Sequence, residues 1–167
     1  MGQTVTKSTK CKDIDILKKT LEQIFGWKKI ETLTSKEEAS GKSLGANLYG
    51  GVKGGRPVVM KVKKENLTDK EGKKAIWSDF VVARNPDGTL EIQSDLHNFD
   101  PQDKVLFITD DMIAGVNAGY TTEAIDTHIN SFNTMVVQDW HEEGENLEKT
   151  IEIDEDELPN IPQADYL

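Results

Sequence analysis

The sequence predicts an α+β fold: a mostly antiparallel sheet with two main helices on one face, with a ferredoxin-like split βαβ as the nearest simple topology. Three observations lead there. Two amphipathic helical stretches stand far apart in the chain, a hairpin signature lies between them, and short β-branched runs occur near both ends. One α+β domain is expected over residues 1–153, with a Gly/Lys-rich insertion at about 35–74 and an acidic, proline-containing tail over 154–167.

The elements follow in order. Residues 4–11 (Thr-Val-Thr-Lys-Ser-Thr-Lys-Cys) carry the β-branched bias of a strand. Asp13 is placed to cap a helix over 14–25, in which Ile14, Leu17, Leu21, Ile24 and Phe25 recur at three- and four-residue steps before Gly26 stops it. Trp27 should fold back on the last turn, and Lys28–Thr34 should give a short strand. Residues 35–57 break the pattern with Gly41, Gly45, Gly50, Gly51, Gly54, Gly55 and Pro57, which reads as loop or bulged strand. Val58–Val62 alternates with lysine, and Lys63–Lys74 reads as a solvated basic loop.

The clearest local signal is the hairpin. Two β-rich runs, Trp77–Arg84 and Thr89–Ser94, flank Asn85-Pro86-Asp87-Gly88, where proline pre-sets φ for a type I turn and glycine accepts the positive φ that follows. A polar turn region over 95–103 comes next, then Val105–Ile108 as a short strand or helical turn. Thr121 or Thr122 is the expected cap of the second main helix, with its stripe Ile125, Ile129, Phe132, Val136 and Trp140 and its stop at Gly144. Leu147–Ile153 suggests a final strand.

Charge is divided along the chain. Residues 1–78 hold 17 Lys or Arg against 9 Asp or Glu, and residues 79–167 hold 3 against 21, so a net charge of −10 conceals a basic first half and an acidic second half. Such asymmetry speaks about partners rather than fold. The single Cys11 excludes an internal disulfide, and no apolar run approaches the roughly 18–20 residues that span a bilayer. A cytoplasmic or other reducing intracellular location is therefore expected. The opening Met-Gly-Gln-Thr-Val-Thr has no apolar signal core, and it fits the loose pattern for myristoylation at Gly2.

Several segments resemble a known family. They are Thr6-Lys7-Ser8-Thr9-Lys10-Cys11-Lys12-Asp13 with Leu17-Lys18-Lys19-Thr20-Leu21, the hairpin Phe80–Arg84 with Asp87–Ile92 and Ser94-Asp95-Leu96, and Thr150–Asp156. In order and spacing these resemble the uncharacterised cyanobacterial, plastid and bacterial conserved reading frames grouped as the domain of unknown function twelve-fifty-seven. The resemblance implies a compact α+β domain and no established activity, so it assigns no functional residue.

Candidate chemistry is sparse. Ser40-Gly41-Lys42-Ser43 has the ending of a phosphate-binding loop, but the glycine that motif needs five positions before Gly41 is Lys36. Asp95, His97 and Asp100, with Asp103 and Asp110–Asp111 nearby, offer hard ligands at a spacing that fits no closed metal site, and a hydrated turn explains them as well. His128 and His141 fall on the second helix, one beside the apolar stripe and one on a solvated turn. Nothing in the motifs supports nucleophilic catalysis, and no cofactor is implied.

The acidic half is the stronger signal. Residues 142–157 contain nine carboxylates, Glu142, Glu143, Glu145, Glu148, Glu152, Asp154, Glu155, Asp156 and Glu157, against Lys149 alone. They are the candidate partner-binding residues. The leading expectation is a non-catalytic accessory or interaction domain that engages a basic protein surface, with direct nucleic-acid binding disfavoured by the net charge. The alternatives are a phage-type inhibitor that mimics nucleic-acid charge, and a small-ligand-binding domain or enzyme built on the Gly41–Gly55 loop.

Overall fold

The computed structural model describes residues 3–100, 102 and 105–130. Among these residues five strands, β1 (Thr4–Ser8), β2 (Glu31–Thr32), β3 (Val58–Val62), β4 (Phe80–Arg84) and β5 (Leu90–Asp95), form one sheet in the order β1-β5-β4-β3-β2. Among the described residues three α-helices accompany them: α1 (Ile14–Phe25), α2 (Ser35–Ala39) and α3 (Asp110–Asn130). The fold is α+β, as the patterning predicts. The described chain divides into a unit ending at Tyr120 and a unit beginning at Thr121, and α3 runs from the first into the second.

Every strand pair is antiparallel. Counting directions across the sheet, β1 and β2 point the same way but lie at opposite edges, with β5, β4 and β3 between them. A ferredoxin-like split βαβ places one strand between such a pair, so that topology is not the one adopted. The reason lies in the hairpin, whose strands pair onward with β3 on one side and with β1 on the other. The connection from β1 to β2 must therefore cross the whole sheet. Its twelve-residue helix α1 is about 18 Å long at the usual rise, comparable to the roughly 19 Å of four strand spacings.

The sheet is covered on both faces, which is why all of β5 and Phe80–Ala83 of β4 are buried. One face presents Phe80, Val82, Leu90, Ile92 and Met60. Trp27, just past the left-handed Gly26 that ends α1, packs on Phe80 at 4.9 Å between ring centres and stacks on Phe25 at 4.4 Å. Its indole N–H donates to Thr68 C=O at 2.6 Å. Asp13 caps α1 as the sequence predicts, with its Oδ1 accepting from the Asp15 and Ile16 amides.

The start of α3 corrects one expectation. The helix begins at Asp110, capped by the Thr109 hydroxyl that accepts from the Met112 amide at 3.1 Å, and not at Thr121 or Thr122. Gly115 and Gly119 hide this turn from propensity reasoning. Gly119 has a packing reason: a Cβ there would meet Thr20 Cγ2 at 3.0 Å and Ile24 Cδ1 at 3.1 Å, so the missing methyl lets α1 approach. Tyr120 completes the contact, its hydroxyl accepting from the Asp13 amide at 2.9 Å and the Lys12 amide at 3.2 Å. The rest of the expected stripe, Phe132, Val136 and Trp140, and the expected strand at 147–153 lie outside the described residues.

The other sheet face carries Val58, Val81, Ala83, Glu91, Gln93 and Asp95, and the glycine-rich segment covers it. Leu44, Ala46, Leu48 and Val52 of that segment pack on Val58 and Val81. The hairpin turn has the expected form, with Gly88 at φ +91° and its N–H donating to Asn85 C=O at 2.9 Å. Lys63–Lys74 is less solvated than its lysines suggest: Leu67 is fully buried and Thr68 bridges to Lys74.

Candidate functional site

An apolar groove with an acidic rim lies between two loops of the first unit. Asp69, Glu71 and Lys73 come from the connection between β3 and β4, and Phe99, Asp100 and Val105–Phe107 come from the chain after β5; together they enclose about 370 Å³. The floor is aromatic. Phe99 and Phe107 meet edge to face at 4.6 Å, and Phe107 continues to Phe80 of the core at 6.3 Å.

Local hydrogen bonds set the walls. Asp69 Oδ1 accepts from the Glu71 and Lys73 amides at 2.9 and 2.8 Å, and Gly72 at φ +83° closes that turn. Asp100 does the same on the opposite wall, receiving the Gln102 amide at 2.9 Å and the Val105 amide. Phe107 is tied by its N–H to Leu96 C=O at 2.6 Å, which leaves Val105 and Leu106 standing outward at 67% and 48% exposure. With Tyr49, these are the large apolar side chains exposed among the described residues. The apolar run 105–108 was legible in the sequence; which of its members face outward was not.

The weak metal candidates Asp95, His97 and Asp100 serve local turns. Asp95 is fully buried on β5, with Oδ1 accepting from the His97 amide at 2.8 Å and Oδ2 without a partner among the described residues. Asp100 is spent on the turn just described. Among the described residues no group of three or more His, Cys, Asp or Glu is assembled to hold a metal ion. His128 is half-buried on α3, while His141 and the nine carboxylates from Glu142 to Glu157 lie outside the described residues.

Ser40–Ser43 closes the short helix α2 instead of cradling an anion. Lys42 pairs with Glu37 at 2.7 Å, and Ser43 Oγ accepts from the Val58 amide at 2.9 Å. The Lys42 ammonium, with the Thr34 amide, holds the Glu37 carboxyl down to about 2. The Gly41–Gly55 loop is likewise committed to the sheet. The Lys53 N–H donates to Gln93 Oε1 at 2.9 Å, Arg56 pairs with Glu91 at 3.1 Å, and Lys61 Nζ reaches Gly45 C=O at 2.7 Å.

A second, polar cleft of about 450 Å³ lies where α1 and α2 begin. Its guanidinium, Arg84, is engaged by Glu38 through two bonds of 2.8 and 3.0 Å and by the Gly88 and Lys12 carbonyls. Its charge is balanced within the fold. No helix among the described residues is long and apolar enough to cross a membrane. Comparison with protein-family models, curated proteins and solved structures finds no match to this chain.

Proposed function

We propose that this protein is a non-catalytic interaction domain that engages a basic protein surface, with the groove at Val105–Phe107 as its apolar anchor point. The observation that carries the reading is the outward placement of Val105 and Leu106 beside an aromatic floor, where exposed apolar groups are rimmed by charge. Among the described residues the rim has three carboxylates, Asp69, Glu71 and Asp100, against one ammonium, Lys73. A complementary partner presents one or two apolar side chains ringed by Lys or Arg. The sequence adds long-range charge of the same sign from Glu142 to Glu157, which would speed encounter more than it would hold the complex. Membership of the resembled family belongs to the same proposal and adds no activity to it.

The test is affinity capture of the full chain from its native lysate at low and high salt, in parallel with Leu106→Asp and with Glu142, Glu143, Glu145 and Glu148 changed to Gln. One stoichiometric basic protein, lost with Leu106→Asp and weakened by salt and by the Gln variant, is the expected result. A partner that Leu106→Asp retains in full, or no partner at either salt, overturns the reading.

A further inference from the structure

Among the described residues the sheet has two edges, and β1 is the one long enough to template another strand. β2 contributes Glu31 and Thr32 alone, whereas β1 offers five residues. The phase of β1 is set at its ends, where the Leu96 N–H donates to Gln3 C=O at 2.8 Å and the Thr9 N–H to Leu90 C=O at 3.0 Å. Antiparallel ladders alternate, so Val5 and Lys7 bond β5 while Thr4, Thr6 and Ser8 turn their N–H and C=O groups to the open side. Thr4 C=O is covered by Lys53 Nζ. The backbone groups of Thr6 and Ser8 have no partner among the described residues.

Natural edge strands are guarded by proline, a bulge, or lysine on the edge. β1 has neither of the first two. Its one lysine, Lys7, is drawn to Asp110 at 2.9 Å. Beside Thr4 a mostly apolar hollow of about 350 Å³ is lined by Gln3, Thr4, Tyr49, Gly50 and Lys53, with Tyr49 68% exposed at its rim. A residue paired with Thr4 on an added strand would place its side chain on the same sheet face as Thr4, toward that hollow. With Lys7 taken by Asp110, the remaining charge here is Lys10 and Lys12 just past β1 and Lys53 at its Thr4 end, and residues 3–12 hold no acidic residue.

From the open Thr6 and Ser8 edge, the hollow beside Thr4 and this local charge, we infer that β1 accepts an extended, acidic, β-branched segment of a partner protein as a sixth strand, with one large apolar side chain seated against Tyr49. Main-chain hydrogen bonds to Thr6 and Ser8 give the affinity, and the hollow and lysines give the selectivity. This surface is separate from the groove at Val105–Phe107 and stands without it.

The test is selection of a random twelve-residue phage-displayed peptide library on the full-length protein, followed by binding of the selected synthetic peptides to wild type and to Thr6→Pro. The Thr6 N–H bonds nothing in β5, so proline removes no ladder bond from the fold while it blocks the added strand. The expected peptides alternate β-branched and acidic residues around one Leu, Phe or Tyr, and lose about tenfold in affinity or more to Thr6→Pro, the equivalent of one or two hydrogen bonds. Amide exchange on the wild-type protein supplies a readout independent of that variant: bound peptide should slow the Thr6 and Ser8 amides. Peptides without acidic bias, peptides that bind Thr6→Pro equally well, or unchanged exchange at Thr6 and Ser8 would overturn the proposal.

Discussion

The Gln93 carboxamide holds the backbone of Lys53 from both sides: Oε1 accepts from its N–H at 2.9 Å and Nε2 donates to its C=O at 3.1 Å. A side-chain amide here plays the part of a neighbouring strand. It fastens the glycine-rich segment across a sheet face that would otherwise be wet. Gln93→Leu keeps the volume and removes both bonds, and should cost about 2 kcal/mol for the backbone groups left unpaired. Urea unfolding would give the loss, and amide exchange confined to residues 50–56 would locate it.

Two glycines in one helix should respond with opposite sign. A methyl group on Gly115 would find no atom within 4 Å, so Gly115→Ala should stabilise by about 0.5–1 kcal/mol through helix propensity. Gly119→Ala forces Thr20 and Ile24 apart and should destabilise by about 1 kcal/mol despite the same propensity gain. Thermal unfolding of the pair decides it; two variants that shift alike would refute the close helix approach.

Arg84 should not tolerate lysine. Its guanidinium binds Glu38 through Nε and Nη2 while the third nitrogen, Nη1, donates to the Gly88 and Lys12 carbonyls, a fork an ammonium cannot reproduce. Arg84→Lys is expected to lose about 1–2 kcal/mol, discounted for partial exposure of the pair. Equal stability of Arg84→Lys and wild type in urea would refute it.

Stability should fall on the alkaline side. Burial pushes the Cys11 thiol from 9.0 to about 11, and burial also raises the Tyr120 hydroxyl. Between pH 9 and 11 the unfolded chain binds fewer protons than the folded one, so stability declines as pH rises through that window. Cys11→Ala should flatten this part of the profile. At about pH 8 the buried thiol should resist iodoacetamide until urea opens the fold.

Much of the architecture was readable where local chemistry and tertiary packing agree. The Asp13 cap, the apolar stripe of α1, the Gly26 stop and the Asn85–Gly88 turn each carry their geometry in a few adjacent residues. The start of α3 was hidden because Gly119 answers to Ile24, a residue far away in sequence. Glu91, Gln93 and Asp95 alternate with apolar neighbours as a solvated face would, yet all three are buried under a segment whose composition reads as loose loop. The groove was half legible: the apolar residues from Val105 onward were visible, while Asp69 and Glu71 reach it from another loop.

The placement of β1 has a consequence for the order in which the molecule assembles. Thr4–Ser8 pairs with Leu90–Asp95, and the four strands β2 to β5 form a continuous meander without it. During synthesis the first strand is made more than eighty residues before its partner, so it must wait, unpaired, until the hairpin exists. A sheet that grows from the meander outward closes with β1 last, and on that path the rate of the docking step sets how long the unpaired strand is exposed to neighbouring chains.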